Sequence, residues 1–165
     1  MRYFLIDASA LAKRYHAEKG SPLMIHLFAS AASARLSCLM LGAAEVVAAL
    51  VRKRNGGLIS ASSFVIALSR LTVEVLDDTA FTKHPADSAL IRRAIGLLVK
   101  HPINSSDALA LQIALELAPF HRTQGDDFAL VASDQRLLKA AQAEGLVTFD
   151  PEAQSQSDLD ALIGP

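Results

Sequence analysis

Four carboxylates in this chain stand apart from the ordinary surface charges and could do chemistry. Asp7 closes the apolar run YFLID at residues 3–7, and Asp134 follows FALVAS at 128–133. Glu45 is enclosed by small and apolar residues in GAAEVVAAL, and Asp107 opens the run NSSDALALQIAL. Each alone has an ordinary explanation. An acid after a strand commonly caps the next helix, and an acid in a first helical turn is favoured by the macrodipole. Glu45 is costly if buried alone, so it must snorkel at a helix edge or reach a rim, a partner or a metal. Asp107 shares a helical face with Ala110, Leu111 and Ala114, which ties it to the apolar side. Four carboxylates around one crevice repel: at ~4 Å and an effective dielectric of ~20, each pair costs about 4 kcal/mol. Such a cluster persists only with cations or with raised pKa values. All-oxygen ligands select Mg²⁺ or Mn²⁺ over zinc and suit metal-assisted displacement at phosphorus.

The elements that must position these acids follow from apolar periodicity. Short buried runs at 3–7, 35–40, 128–133 and 146–151 predict strands, and the alternation in TVEVLDD (72–78) predicts another. Helices are expected over 21–33 with Ser21 as cap, 41–57, 58–71 with Ser60 as cap, 84–102, 104–120 and 134–145. Pro102 and Pro119 are expected to stop two of them. Strands alternating with helices give a three-layer α/β/α sandwich around a mostly parallel, Rossmann-like sheet. In such sheets the ligand crevice lies beyond the carboxyl ends of the strands, where Asp7 and Asp134 would both project. One domain is expected over residues 1–150, with 151–165 as a polar tail, frayed or forming a short helix.

Composition removes several function classes. The 165 residues carry 16 basic and 17 acidic side chains, a net charge of −1, which excludes a polybasic coat. Aromatics at 5% and no Trp argue against a base-stacking platform. The single cysteine, Cys38, excludes a disulfide framework and a cysteine zinc module. The five histidines (16, 26, 84, 101, 121) lack metal-ligand spacing and are expected at the surface. No GxSxG elbow or GxxxxGK[ST] loop occurs. The opening MRYFLIDAS holds a charge at residue 7, and no apolar stretch reaches ~18 residues. A cytoplasmic protein with no membrane association is expected.

Four segments together resemble the PIN-domain ribonucleases, and within them the VapC-like toxins of bacterial toxin–antitoxin pairs. They are YFLIDASALAKRYHAEKGS (3–21), SCLMLGAAEVVAALVRKRNGGLIS (37–60), SSDALALQIALEL (105–117) and LVASDQRLLKAAQAEGLVTFDP (130–151). The resemblance puts Asp7, Glu45, Asp107 and Asp134 on the family's acidic quartet, and Ser9 on the small hydroxyl residue after the first acid. Ser133 lies beside the fourth acid, while Ala132 stands where the family often has Ser or Thr. What the resemblance implies is an Mg²⁺- or Mn²⁺-dependent endoribonuclease, dimeric and silenced by a cognate antitoxin. Asp7, Asp107 and Asp134 would hold the ion, directly or through water, with Glu45 completing the shell or orienting the nucleophile. Two rival readings are a non-catalytic PIN-like binding module and a phosphatase using Asp7 as nucleophile. The second is disfavoured by Ser at residue 9, where a second acid would stand.

RNA would need cations near the acids: Lys13 and Arg14 follow the first acid, Arg52, Lys53 and Arg54 end the Glu45 helix, and Arg136 and Lys139 follow the fourth acid, each cluster with the alternative of a solvated helix end. The apolar helices between residues 21 and 71, including Met24 and Phe64, are expected to meet the antitoxin and a second copy of the chain.

Overall fold

A computed structural model describes residues 1–164. Its centre is a five-stranded sheet made of β1 (Arg2–Ile6), β2 (Leu36–Leu39), β3 (Thr82–His84), β4 (Asp127–Val131) and β5 (Thr148–Phe149). All neighbours are parallel, in the order β3-β2-β1-β4-β5. Eight helices surround it: α1 (Ala8–Leu11), α2 (Ser21–Ser30), α3 (Met40–Asn55), α4 (Ala61–Leu71), α5 (Ser88–Lys100), α6 (Ser105–Thr123), α7 (Gln135–Ala143) and α8 (Gln156–Ile163).

The strand period of two divides the core between the layers. Phe4 and Ile6 of β1, with Ala129 and Val131 of β4, pack against α1 to α4 and α8. Leu5, Phe128 and Leu130 point the other way, against α5, α6 and α7. Both faces of the sheet are thus covered, which is why its central strands are apolar throughout rather than alternating. The three-layer sandwich expected from the sequence is the observed fold.

The chain order makes β1 a pivot. Connections from β1 run outward to β2 and β3, and the chain then returns to β4 on the other side of β1. The crevice between the ends of β1 and β4 is therefore a topological switch point. Ile6 pairs with Val131 there, and the Asp7 N–H donates to the Val131 carbonyl at 2.9 Å.

Several local expectations are corrected. Residues 72–78 form no strand: a π-helical turn at Thr72–Leu76 continues α4, because Leu71 and Val75, four apart, are both fully buried. The strand belongs instead to Thr82–His84, a short, polar sheet edge without an apolar signal. The helix expected at 84 accordingly starts later, at Ser88, where Asp87 caps the Leu90 N–H at 2.7 Å. Pro119 does not stop α6, which runs on to Thr123 with the proline on its exposed side. Nor are the histidines all surface groups: His121 stacks on Tyr3 with ring centroids 4.0 Å apart, and His101 bonds Glu144 at 2.6 Å. Of the two alternatives for the tail, residues 151–164 take the short helix. Ser155 and Asp158 form a capping box, and α8 buries Leu159 and Ile163 in the core below α2.

Ser21 is not the cap of α2 either. Gly20 takes that place with a φ of 87°, in the left-handed region that favours glycine. A Cβ there would lie 2.7 Å from the Pro151 carbonyl oxygen, so the tail and the α1–α2 loop meet at a point with room for no side chain. Gly20→Ala should cost about 2 kcal/mol or more, from left-handed strain and backbone contact together. Urea unfolding would read this as a lower midpoint at unchanged m-value; a wild-type midpoint would contradict the close contact.

Candidate metal and nucleic-acid site

Four separate elements bring the four acids to one open cavity of about 400 Å³. Asp7 comes from the end of β1, Glu45 from α3, Asp107 from the first turn of α6 and Asp134 from the turn after β4. Ser9, Asn104 and Ser106 share the lining, with Ala8, Ala12, Ala48 and Ala49 as small walls.

Each aspartate also does the structural work foreseen for it. Asp7 caps α1, accepting from the Ser9 N–H at 2.9 Å and the Ser9 hydroxyl at 2.6 Å. Asp134 caps α7 through the Arg136 and Leu137 N–H groups at 2.8 and 3.2 Å. Asp107 closes a capping box with Asn104. The cap and the site are therefore not alternatives: capping fixes where each carboxylate stands, and the cavity receives the rest of it.

Ser9 joins the two halves of the site. Its hydroxyl donates to Asp7 and accepts from the Ser133 and Asp134 N–H groups at 2.9 and 3.2 Å. Ser133 turns out differently. Its hydroxyl is buried and has no hydrogen-bond partner, so it makes none of the contacts that hold the acids.

The electrostatics separate the aspartates. Burial, with the Asp7 and Asp134 charges added, pushes Asp107 up to about 6. Burial likewise raises Asp7, against the opposing bonds from Ser9 and with a further push from Asp134. For Asp134 burial is outweighed by the Leu137 and Arg136 N–H groups and the Arg136 guanidinium, which hold the carboxyl below its ordinary value. One ionised carboxylate thus stands beside two that resist ionising, an arrangement that attracts cations.

This has a consequence for stability. Between its ordinary value of 3.8 and about 6, native Asp107 keeps a proton that the unfolded chain has released. Stability therefore falls as pH rises through that window. Thermal melts in EDTA at several pH values between ~4 and ~7 should show wild type losing ground to Asp107→Asn as pH rises. A constant difference between the two proteins would show that Asp107 is not perturbed.

The expected cations fare unequally. Arg52 lines the cavity, and Arg136 stands beside Asp134 at 3.5 Å. Lys13 is a correction: it is buried, paired with Glu18 at 3.3 Å and with Glu152, and does not face the cavity. Arg14 is another, held by Glu74 at 2.7 Å and lying over the Phe28 ring. Of the cation cluster that ends the Glu45 helix, Lys53 lines the cavity with Arg52, while Arg54 does not. Sequence reasoning missed Glu18 and Asn104 as cavity residues; Glu18 lies in a loop and had no signal.

The apolar surface expected between residues 21 and 71 is also redistributed. Met24 and Leu27 of α2 are fully buried, so that part of the expectation fails. Exposed apolar side chains remain at Ile25 on α2, at Met40 and Leu41 at the start of α3, and at Leu58, Val65 and Ile66 on α4 and the loop before it, while Phe64 is half-buried under Arg54.

No family model matches the sequence, and no curated protein matches it. The fold is similar to that of the crystal structure of FitAcB from Neisseria gonorrhoeae, with a TM-score of 0.61 over 92% of this chain and 99% of that chain. The two are 13% identical in sequence. Together with the all-parallel sheet and its two helical layers, this shows that the chain shares that structure's α/β/α sandwich fold.

Proposed function

We propose that this protein is a PIN-domain endoribonuclease of the toxin type, hydrolysing RNA phosphodiester bonds with Mg²⁺ or Mn²⁺. The observation that carries this reading is the meeting of Asp7, Glu45, Asp107 and Asp134, from four elements, on one open cavity at the sheet's switch point. The sequence resemblance and the fold support it.

The donor set fits a hard ion. It is all oxygen, burial with a smaller push from neighbouring acids lifts two of its carboxyl groups, and no cysteine or histidine lines it. Among the described residues, no three acid, histidine or cysteine side chains stand close enough to enclose an ion by themselves. That favours Mg²⁺, which keeps several waters and needs one or two carboxylates directly. One or two of Asp7, Asp107 and Asp134 would hold it directly, and the rest, with Glu45, would reach it through water. When bound, the ion supplies a water of lowered pKa and polarises the scissile phosphate.

The chain's own groups do the rest. Ser9 fixes the Asp7 carboxylate, and the capping bonds fix Asp134. Glu45 stands on the rigid α3 as an acceptor for a proton of the attacking water. Arg52 and Arg136 offset the charge of RNA at the rim. A cognate antitoxin, a homodimer and a cytoplasmic location belong to the same proposal; no described helix is long and apolar enough to cross a membrane.

Incubation with RNA in Mg²⁺, Mn²⁺, Zn²⁺ or EDTA tests it. Cleavage is expected in the first two, together with a higher melting temperature on adding Mg²⁺. Cleavage that survives exhaustive chelation would sink the metal site, and no cleavage in any condition would favour a binding module.

A further inference from the structure

The cavity has an acidic end and a basic end. Along α3 its lining residues run Glu45, Ala48, Ala49, Arg52 and Lys53. Seven residues of helix put Arg52 about 10 Å beyond Glu45, with only methyl side chains on α3 between them. A strand whose scissile phosphate lay at the acids would carry a flanking phosphate towards these cations.

The two cations are not equivalent. Lys53 donates to one oxygen of Glu18 at 2.5 Å, and the other oxygen accepts from Lys13 at 3.3 Å. Lys13 in turn pairs with Glu152, so Glu152, Lys13, Glu18 and Lys53 form one chain of alternating charge. Burial alone would raise the Glu18 carboxyl, but the two lysines bring it below its ordinary value, so it stays ionised. Glu18 itself lines the cavity. Arg52 is exposed and makes no ion pair among the described residues.

We propose that Glu18 sets the strength with which this site holds single-stranded RNA: it withholds Lys53 from the substrate, leaving Arg52 to hold a phosphate flanking the scissile one. This rests on the ribonuclease reading. A phosphate competing for Lys53 would have to displace a carboxylate that is already in hydrogen-bond contact, and would meet the repulsion of that carboxylate. Arg52 has no such competitor, and its planar fork suits phosphate oxygens. Glu18 acts through Lys53, and is therefore a positioning residue that governs affinity without touching the reacting atoms.

The test is fluorescence anisotropy with a labelled oligouridylate between ~50 and ~200 mM salt, in EDTA and, on an Asp134→Asn background, in Mg²⁺. Arg52→Gln should weaken binding about fivefold and lower the slope of log K against log salt by about 0.7, the value for one phosphate contact on a single strand. Lys53→Met should change affinity less than about twofold. Glu18→Gln should tighten binding about fivefold and steepen the slope by a similar amount. The gain must vanish in Glu18→Gln/Lys53→Met, and circular dichroism would show that all variants fold. A loss in Lys53→Met equal to that in Arg52→Gln would overturn the proposal, as would a Glu18→Gln gain that persists without Lys53. If RNA is cleaved while binding ignores all three positions, this inference fails and the ribonuclease reading stands. If RNA is neither cleaved nor bound, the ribonuclease reading itself fails.

Discussion

Asp7→Asn, Asp107→Asn and Asp134→Asn should each lower RNA hydrolysis by about 100-fold or more while leaving the protein folded. Asparagine keeps a carbonyl oxygen for the capping bonds, and at a helix N-cap it is nearly as good as aspartate. What it removes is charge. Metal-free stability should then separate the three. Asp107→Asn removes a carboxylate that burial and two neighbouring charges disfavour, so it should melt higher than wild type at pH 7. Asp134→Asn removes one whose ionised form is held by two N–H groups and a guanidinium, so it should gain nothing. Full cleavage by Asp134→Asn would show that this residue is a helix cap and no more. Loss of cleavage together with loss of the folded circular dichroism signal would remove the evidence for a catalytic role.

Ser9→Ala should be the most damaging exchange of a neutral side chain in the site. The hydroxyl accepts from two backbone N–H groups 124 and 125 residues away in sequence and donates to Asp7. Its loss leaves both N–H groups without that partner and frees the Asp7 carboxylate to turn, at a cost of about 2–4 kcal/mol. For a chain of this size that lowers the melting temperature by roughly 10 °C. Ser133→Ala is the natural control. Its hydroxyl is buried without a partner among the described residues, so its removal should leave stability unchanged or raise it, by at most about 1–3 kcal/mol. Equal effects of the two alanines on melting and cleavage would contradict this division of roles.

The layers and the acids were legible in the sequence because both leave a pattern. Runs such as YFLI and FALV have no polar face, so they announce a doubly covered sheet, and an acid ending such a run has few places to go. β3 was illegible for the complementary reason. Its residues Thr82, Lys83 and His84 belong to a sheet edge that needs no apolar side chain, while the neighbouring TVEV carries strand-like alternation yet is wound into a π turn by Val75. The fate of the cations was illegible too. Lys13 and Arg52 both follow an acid along the chain, and only tertiary pairing with Glu18 and Glu152 takes Lys13 inside. Charge tells where a residue can act; its partners, set by segments far away, decide whether it does.

The central place of β1 bears on when this site exists during synthesis. The strand that carries Asp7 is the first made, but its partner β4 is paired across 125 residues, from Arg2 to Asp127, and Asp134 comes later still. Every nascent chain that ends before Ser133 therefore lacks the fourth acid and the backbone that Ser9 bridges. Domains emerge from the ribosome N-terminus first, at about 5–20 residues per second, so synthesis of the residues between Arg2 and Asp127 takes roughly 6–25 s before these strands can pair. Ribosome-bound chains stalled before residue 127 should be inert towards RNA, and chains with residues 1–164 fully extruded should cleave it; activity in the shorter ones would show that β4 is dispensable.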